Sequence, residues 1–399
     1  MHHTARNTTI YFFLIGLFII SIWSCADYGL KYSEGVENWE TLEPPSNHEI
    51  VYSVFLIGDA GFAPENSSTP LFAHLKDRFD KASEQSSAVW LGDNLYPVGL
   101  APEGHKDHPL GKHRITAQLK TLVNYPGKVF FIPGNHDWYE YGQEGLSRQE
   151  ILIESFLTKK KIKQVQPASE YFIPDDGCGD VVAKKLSDGV VLIVIDSHWY
   201  LKSRYKSNTL KQHCQVVTHL DYLKALDSTF TQHKDDIIIL ASHHPLYTYG
   251  KHGGYYQAKY YFFPLTQVSN SLIIPMPFSG IIANLVRPYI SEQDTKQALY
   301  GRYKTELLSR AKDHGKTIVV SGHEHNLQYI EKDGIPMIIS GSGSKKTAVA
   351  LGNGSKFAIG SYGYTRLDFY SDGQIFVHYI SSEEDSHKEV FRTRIFHNK

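Results

Sequence analysis

The chain has 399 residues, 41% of them hydrophobic and 13% aromatic, enough to bury one large core or two ordinary ones. Its formal net charge of -1 excludes nucleic acid as the main partner, because neutralising a phosphate backbone takes a basic surface. The unusual count is that of histidine, 21 in all.

Arg6 and the apolar run 10–23 read as a targeting segment outside the fold, the run being short for a membrane span. It ends at Ser24-Cys25. A small residue before a cysteine there resembles a bacterial lipobox, in which Cys25 is lipidated and becomes the mature N-terminus. Trp23 departs from that pattern, and a cleaved signal or an uncleaved anchor are the alternatives. Residues 26–48 are polar and proline-punctuated, a tether to a globular body spanning 49–384.

From Glu49, apolar runs alternate with amphipathic segments. The runs at 50–57, 88–91, 129–132, 190–195, 237–240, 317–320 and 337–339 are short and near-continuous, as strands covered on both faces are. Helical patterns lie between them at 70–83, 114–123, 148–160, 220–230 and 294–313, so the expected fold is a layered α/β one. Residues 364–369 and 374–380, joined by Ser371-Asp372-Gly373, read as a hairpin, and 385–399 as a tail. The stretch 255–290 is aromatic yet broken by Pro264, Pro275, Pro277 and Pro288, and reads as an insert packed on the body. A lid, or membrane contact through 272–286, is the alternative. Cys178 and Cys214 form either one disulfide or two buried thiols.

Five of the runs end in chemistry. They lead into Gly58-Asp59-Ala60-Gly61, Gly92-Asp93-Asn94-Leu95-Tyr96, Gly134-Asn135-His136-Asp137, Ser242-His243-His244-Pro245 and Gly322-His323-Glu324-His325. Ligands of open α/β sheets sit at the carboxyl ends of strands, so these residues are expected to converge. A carboxylate has two oxygens and can bridge two cations, and a phenolate suits a trivalent one.

This ordered set resembles the calcineurin-like metallophosphoesterases over about 49–382, and Tyr96 points to their purple acid phosphatase branch. The run from Gly322 to Tyr329 is similar to the small, tartrate-resistant type. The resemblance implies a four-layer α/β-β/α sandwich of two mixed sheets flanked by helices. It also implies that Asp59, Asp93, Tyr96 and His325 hold Fe(III), while Asp93 bridges to a divalent ion (Fe, Zn or Mn) held by Asn135, His243 and His323. The hard oxygens of the first set and the imidazoles of the second suit that division. A hydroxide on the metals would attack phosphorus, His136 would donate to the phosphate, and His252 would protonate the leaving group. Asp137 would orient His136 or serve structure.

The histidines at 105, 108 and 113 read as a solvated loop, and His198 has no ligand role in the resemblance. His244 is either close behind the ligands or exposed. The function so implied is hydrolysis of small phosphomonoesters by an exported, lipid-anchored monomer in a bacterial periplasm or on a cell surface. A phosphodiesterase or nucleotide hydrolase, with the insert as an aromatic wall, is the first alternative. A non-catalytic surface-binding lipoprotein is the second.

Overall fold

The structure, a computed structural model, describes residues 26–65, 69–202, 214–267, 269, 271–276, 294–383 and 386–396. The chain runs through β1 (Lys31–Tyr32), β2 (Ile50–Ile57), α1 (Pro70–Asp80), β3 (Ser86–Trp90), α2 (His108–Leu119), β4 (Lys128–Phe131), α3 (Asn135–Trp138) and α4 (Gly142–Lys160). Next come β5 (Val182–Ser187), β6 (Val190–Val194), α5 (Ser197–Leu201), α6 (His219–Gln232), β7 (Ile237–Ala241), α7 (Ala258–Phe262) and α8 (Ala298–His314). It closes on β8 (Thr317–Ser321), β9 (Leu327–Lys332), β10 (Ile335–Ser340), β11 (Ser355–Ile359), β12 (Gly363–Tyr370), β13 (Ile375–Glu383) and β14 (Ser386–Ile395).

The strands form two mixed sheets, ordered β1-β11-β9-β10-β8-β7-β6-β5 and β14-β13-β12-β2-β3-β4. Within them β2, β3 and β4 run parallel, as do β6, β7, β8 and β10. Side-chain alternation sorts each strand between two cores. In β2, Val54 and Leu56 join Val194, Ile239 and Val320 between the sheets. Phe55 and Ile57 belong instead to the helix-side cluster with Leu75, Phe79 and Ile115. On the other sheet, Ile193, Ile238 and Leu240 lie in the helix-side cluster with Leu226 of α6 and Leu307 of α8. The result is the four-layer sandwich. Helix starts follow local chemistry: Thr69 Oγ1 accepts the Phe72 N–H with Pro70 in the first turn, and Thr218 with Asp221 caps α6.

Three expectations need correction. Residues 26–48 are not a free tether. β1 pairs with β11, Asp27 bridges Val349, and buried Trp39 donates its Nε1–H to Tyr32 Oη at 2.9 Å. Two aromatic anchors in an otherwise polar stretch are enough to bind it to the sheet. Nor is the stretch after 385 a tail, since β14 pairs with β13 and buries Val390, Phe391 and Ile395. The supposed histidine loop is in part helix, with His108 opening α2 and His113 inside it.

Cys178 and Cys214 are joined as a disulfide, closing a separation of 36 residues. By chain entropy a loop of that size stabilises by about 3–4 kcal/mol. Cys25 and residues 277–293 of the insert lie outside the described residues. Among the described residues no helix is long and apolar enough to cross a membrane.

Candidate metal centre

The carboxyl ends of β2, β3 and β4 in one sheet meet those of β7 and β8 in the other. Backbone hydrogen bonds stitch the meeting point: Gly58 N–H donates to Ser340 O (2.7 Å), Asp59 N–H to Gly92 O (3.0 Å) and Gly322 N–H to His243 O (3.1 Å). Three residues there hold left-handed backbone conformations, Asp59 (φ 56°), Asp93 (φ 53°) and His323 (φ 69°). Such strain costs about 1–3 kcal/mol per residue and persists only where the surroundings over-determine it. Gly92, at φ 86°, is needed beside them, because a Cβ would meet His243 Nδ1 at 2.7 Å and Gly134 N at 2.8 Å.

The seven expected donors fall into two triads with Asp93 between them. In the first, Tyr96 Oη lies 2.8 Å from Asp59 Oδ1 and 2.9 Å from His325 Nε2, and the latter two are 3.4 Å apart. In the second, Asn135 Oδ1 lies 3.0 Å from both His243 Nε2 and His323 Nδ1, which are 3.2 Å apart. Asp93 Oδ1 stands 3.4 Å from His243 Nε2, and Asp59, Asp93 and His243 offer ligand atoms within 4.8 Å of one another. All seven side chains but His325 are buried. Donor atoms converging at about 3 Å in a buried pocket suit cations: hard oxygens dominate one triad, imidazole nitrogens and an amide oxygen the other. The residues fit a two-ion centre.

Electrostatics follow from burial and charge. Burial would raise the Asp93 carboxyl, but the His243 and His136 charges and their hydrogen bonds hold it well below the usual carboxylate range. Burial, with the Asp59 and Asp93 charges, pushes the Tyr96 phenol well above its usual value. Its proton therefore stays unless a cation displaces it.

Surrounding residues set the frame. His136 donates Nδ1–H to Pro97 O at 2.5 Å, since a carbonyl can only accept, which leaves Nε2 at 4.0 Å from Asp93 Oδ2. Asp137 serves the loops that follow β3 and β4. It accepts N–H bonds from Gly134 (2.7 Å), Leu95 (3.1 Å) and Asn94 (3.2 Å), pinning the β3 loop to the β4 loop. Its role is structural. The His252 ring lies against His323 with centroids 4.0 Å apart and planes tilted by 37°, and its backbone N–H donates to Glu324 Oε1 at 2.7 Å. His244 is buried, not exposed, and hydrogen-bonds Ser197 Oγ at 2.8 Å. His198 stacks behind His244 with centroids 6.1 Å apart. His108 and His113 bond the carbonyls of Ala101 and Pro64, each at 2.8 Å.

Sequence reading missed Lys345, whose Nζ sits 3.4 Å above the centre of the Tyr96 ring. Burial lowers its pKa, against the raising pull of Asp93 and Asp59. A lysine in the Gly-Ser run that follows β10 carries no signal of its own. Only the two-sheet fold brings it over the site.

No curated protein matches the chain in sequence. Among solved structures, GAP50, the anchor in the inner membrane complex of Plasmodium, aligns at TM-score 0.52 and 16% identity over 88% of this chain and 90% of its own. PhoD aligns at 0.51 and 10%, over 87% of this chain and 70% of its own. A purple acid phosphatase from yellow lupin (Lupinus luteus) seeds aligns at 0.47 and 13%, over 88% and 54%. At such identities the first two likenesses show the fold alone, and the third adds nothing to them. The sequence profile of the calcineurin-like phosphoesterases matches residues 52–327, well over half the chain, and takes in all five strand ends. On that match the chain belongs to the calcineurin-like phosphoesterase family of phosphoester hydrolases.

Proposed function

We infer that the chain hydrolyses phosphomonoesters at a two-ion centre. The observation that carries this reading is the pair of donor triads flanking Asp93. Asp59, Tyr96 and His325 with Asp93 would hold Fe(III), while Asp93, Asn135, His243 and His323 would hold a divalent Fe, Zn or Mn. When bound, such ions supply Lewis acidity and make water nucleophilic near neutral pH.

The chain's own groups do the rest. With Nδ1–H committed to Pro97 O, the His136 Nε2 can donate only when the ring carries both protons. In that form it faces the bridging carboxylate from a half-buried position and donates to a phosphate oxygen as charge builds. His252, held beside His323 by Glu324, gives its proton to the leaving alkoxide. Lys345 and Lys251 feel one another's charge and draw the anionic ester to the site.

Export and lipid anchoring at Cys25 are part of the same reading. The basic, apolar leader ending in cysteine supports them, as does a disulfide, which persists in oxidising compartments. A non-catalytic surface role is disfavoured because no donor is missing and His136, which metal holding does not need, is also present. The test is turnover of an aryl phosphomonoester against the matching bis-aryl diester by metal-loaded protein. The monoester should be preferred by at least about tenfold in kcat/KM, a difference of about 1.4 kcal/mol in transition-state binding. Preference for the diester would overturn the monoesterase reading, and full activity after chelation would overturn the metal centre.

A further inference from the structure

Beside the centre lies a cleft of about 180 Å³ that the reaction so far does not use, lined by Tyr28, Lys251, Tyr255, Tyr256, Tyr260 and Thr347 among others. Two backbone links tie its walls to residues of the centre. Lys251 immediately precedes His252, and the Thr347 N–H donates to the carbonyl of His325 at 2.6 Å. Its walls come from two distant parts of the chain. The segment leading into α7 supplies Tyr255 and Tyr256, and α7 itself supplies Tyr260. The stretch just after the leader supplies Tyr28. That stretch is tied down on both sides: Ala26 N–H donates to Tyr256 O at 3.0 Å, and Gly360 N–H to Tyr28 O at 3.3 Å.

We propose that this cleft is the leaving-group subsite and that it takes a single planar aromatic ring, the N-terminal segment completing it through Tyr28. The proposal rests on the phosphomonoesterase reading and deepens it. The cleft's volume is enough for one ring, since a cavity of about 150 Å³ admits benzene. Composition favours a planar one, because four tyrosines offer π-surfaces that stack on or edge against a ring, an advantage an aliphatic alcohol lacks. The order of groups is also right for an ester. The ring would lie among the tyrosines and the phosphate toward His325, with Lys251 on the cleft wall. His252, next along the chain from Lys251, is then placed to protonate the bridging oxygen between ring and phosphate.

The test compares phenyl phosphate with glycerol 2-phosphate on the full chain and on Tyr28→Ala and Tyr260→Ala, with Tyr260→Phe as the conservative variant. Each variant's ratio of kcat/KM for the two esters is divided by the native ratio, which cancels the intrinsic reactivity of the phenyl ester. Each alanine variant should lower that ratio by roughly tenfold, mostly through KM, and Tyr260→Phe should restore it. Equal losses on both esters, or no loss on either, would overturn the proposal. Calorimetric binding of phenyl phosphate to the same proteins is measured alongside. A native protein that binds phenyl phosphate more tightly than either alanine variant, yet turns over neither ester, upholds the cleft and sinks the phosphatase reading. Binding unchanged by both alanine variants sinks the cleft whatever the turnover.

Discussion

Asp93→Ala is expected to lower kcat/KM on an aryl phosphate by at least about 10³-fold, since losing several kcal/mol of charge stabilisation multiplies through tenfold per 1.36 kcal/mol. Asp93 is the one side chain that stands between both triads, and its Oδ1 also accepts the His136 N–H at 2.8 Å. Removing it would take away the support the two proposed ions share, and with it the acceptor of the His136 backbone N–H. Asp93→Asn tests the electrostatic part alone. It keeps an oxygen for the His136 backbone N–H but loses the charge that bridging and the neighbouring His243 both need, so activity should fall nearly as far and the melting temperature should fall with it. Steady-state kinetics with thermal unfolding of the three proteins checks both points, and an Asp93→Asn enzyme of near-native activity would refute the bridge.

A second large effect needs no donor removed. At Gly134 an added Cβ would collide with the backbone nitrogen and Oδ1 of Asp93. Gly134→Ala should therefore destabilise by about 1–3 kcal/mol through overpacking. Displacement of Asp93 by even 1 Å should cost about 10²-fold in kcat. Gly301 within α8, where an added Cβ would meet nothing within 4 Å, is the contrasting position. Gly301→Ala should stabilise by about 0.5–1 kcal/mol from helix propensity alone and leave kcat unchanged. Urea unfolding and kinetics on the pair measure both. Equal behaviour of the two variants would show that the loops after β3 and β4 are not tightly fitted.

The centre was legible in the sequence for a physical reason. Its donors sit at the tips of buried parallel strands, whose apolar runs are short and unbroken, and each donor follows its run within a few residues. The edges were not legible, because an edge strand has one wet side and no continuous apolar run. β14 carries Lys388, Glu389, Arg392 and Arg394 among its buried residues and so reads as a polar tail, although it pairs with β13 along its length. β1 is two residues long, and the docking of 26–48 depends on Trp39 and Tyr32, which composition averages away. Lys345 and the tyrosine cleft were hidden for a third reason. Both depend on segments far apart in the chain meeting beside Tyr96 and His325, and no local spacing encodes that.

On the proposed function, seven side chains form one two-ion centre with a ferric, tyrosinate-ligated half. It is tested most directly by metal analysis and the visible absorption spectrum of the native protein beside those of Tyr96→Phe. Two ions per chain are expected, iron among them, with a visible band that Tyr96→Phe abolishes. A native protein without bound metal, or a band that survives in Tyr96→Phe, would contradict it.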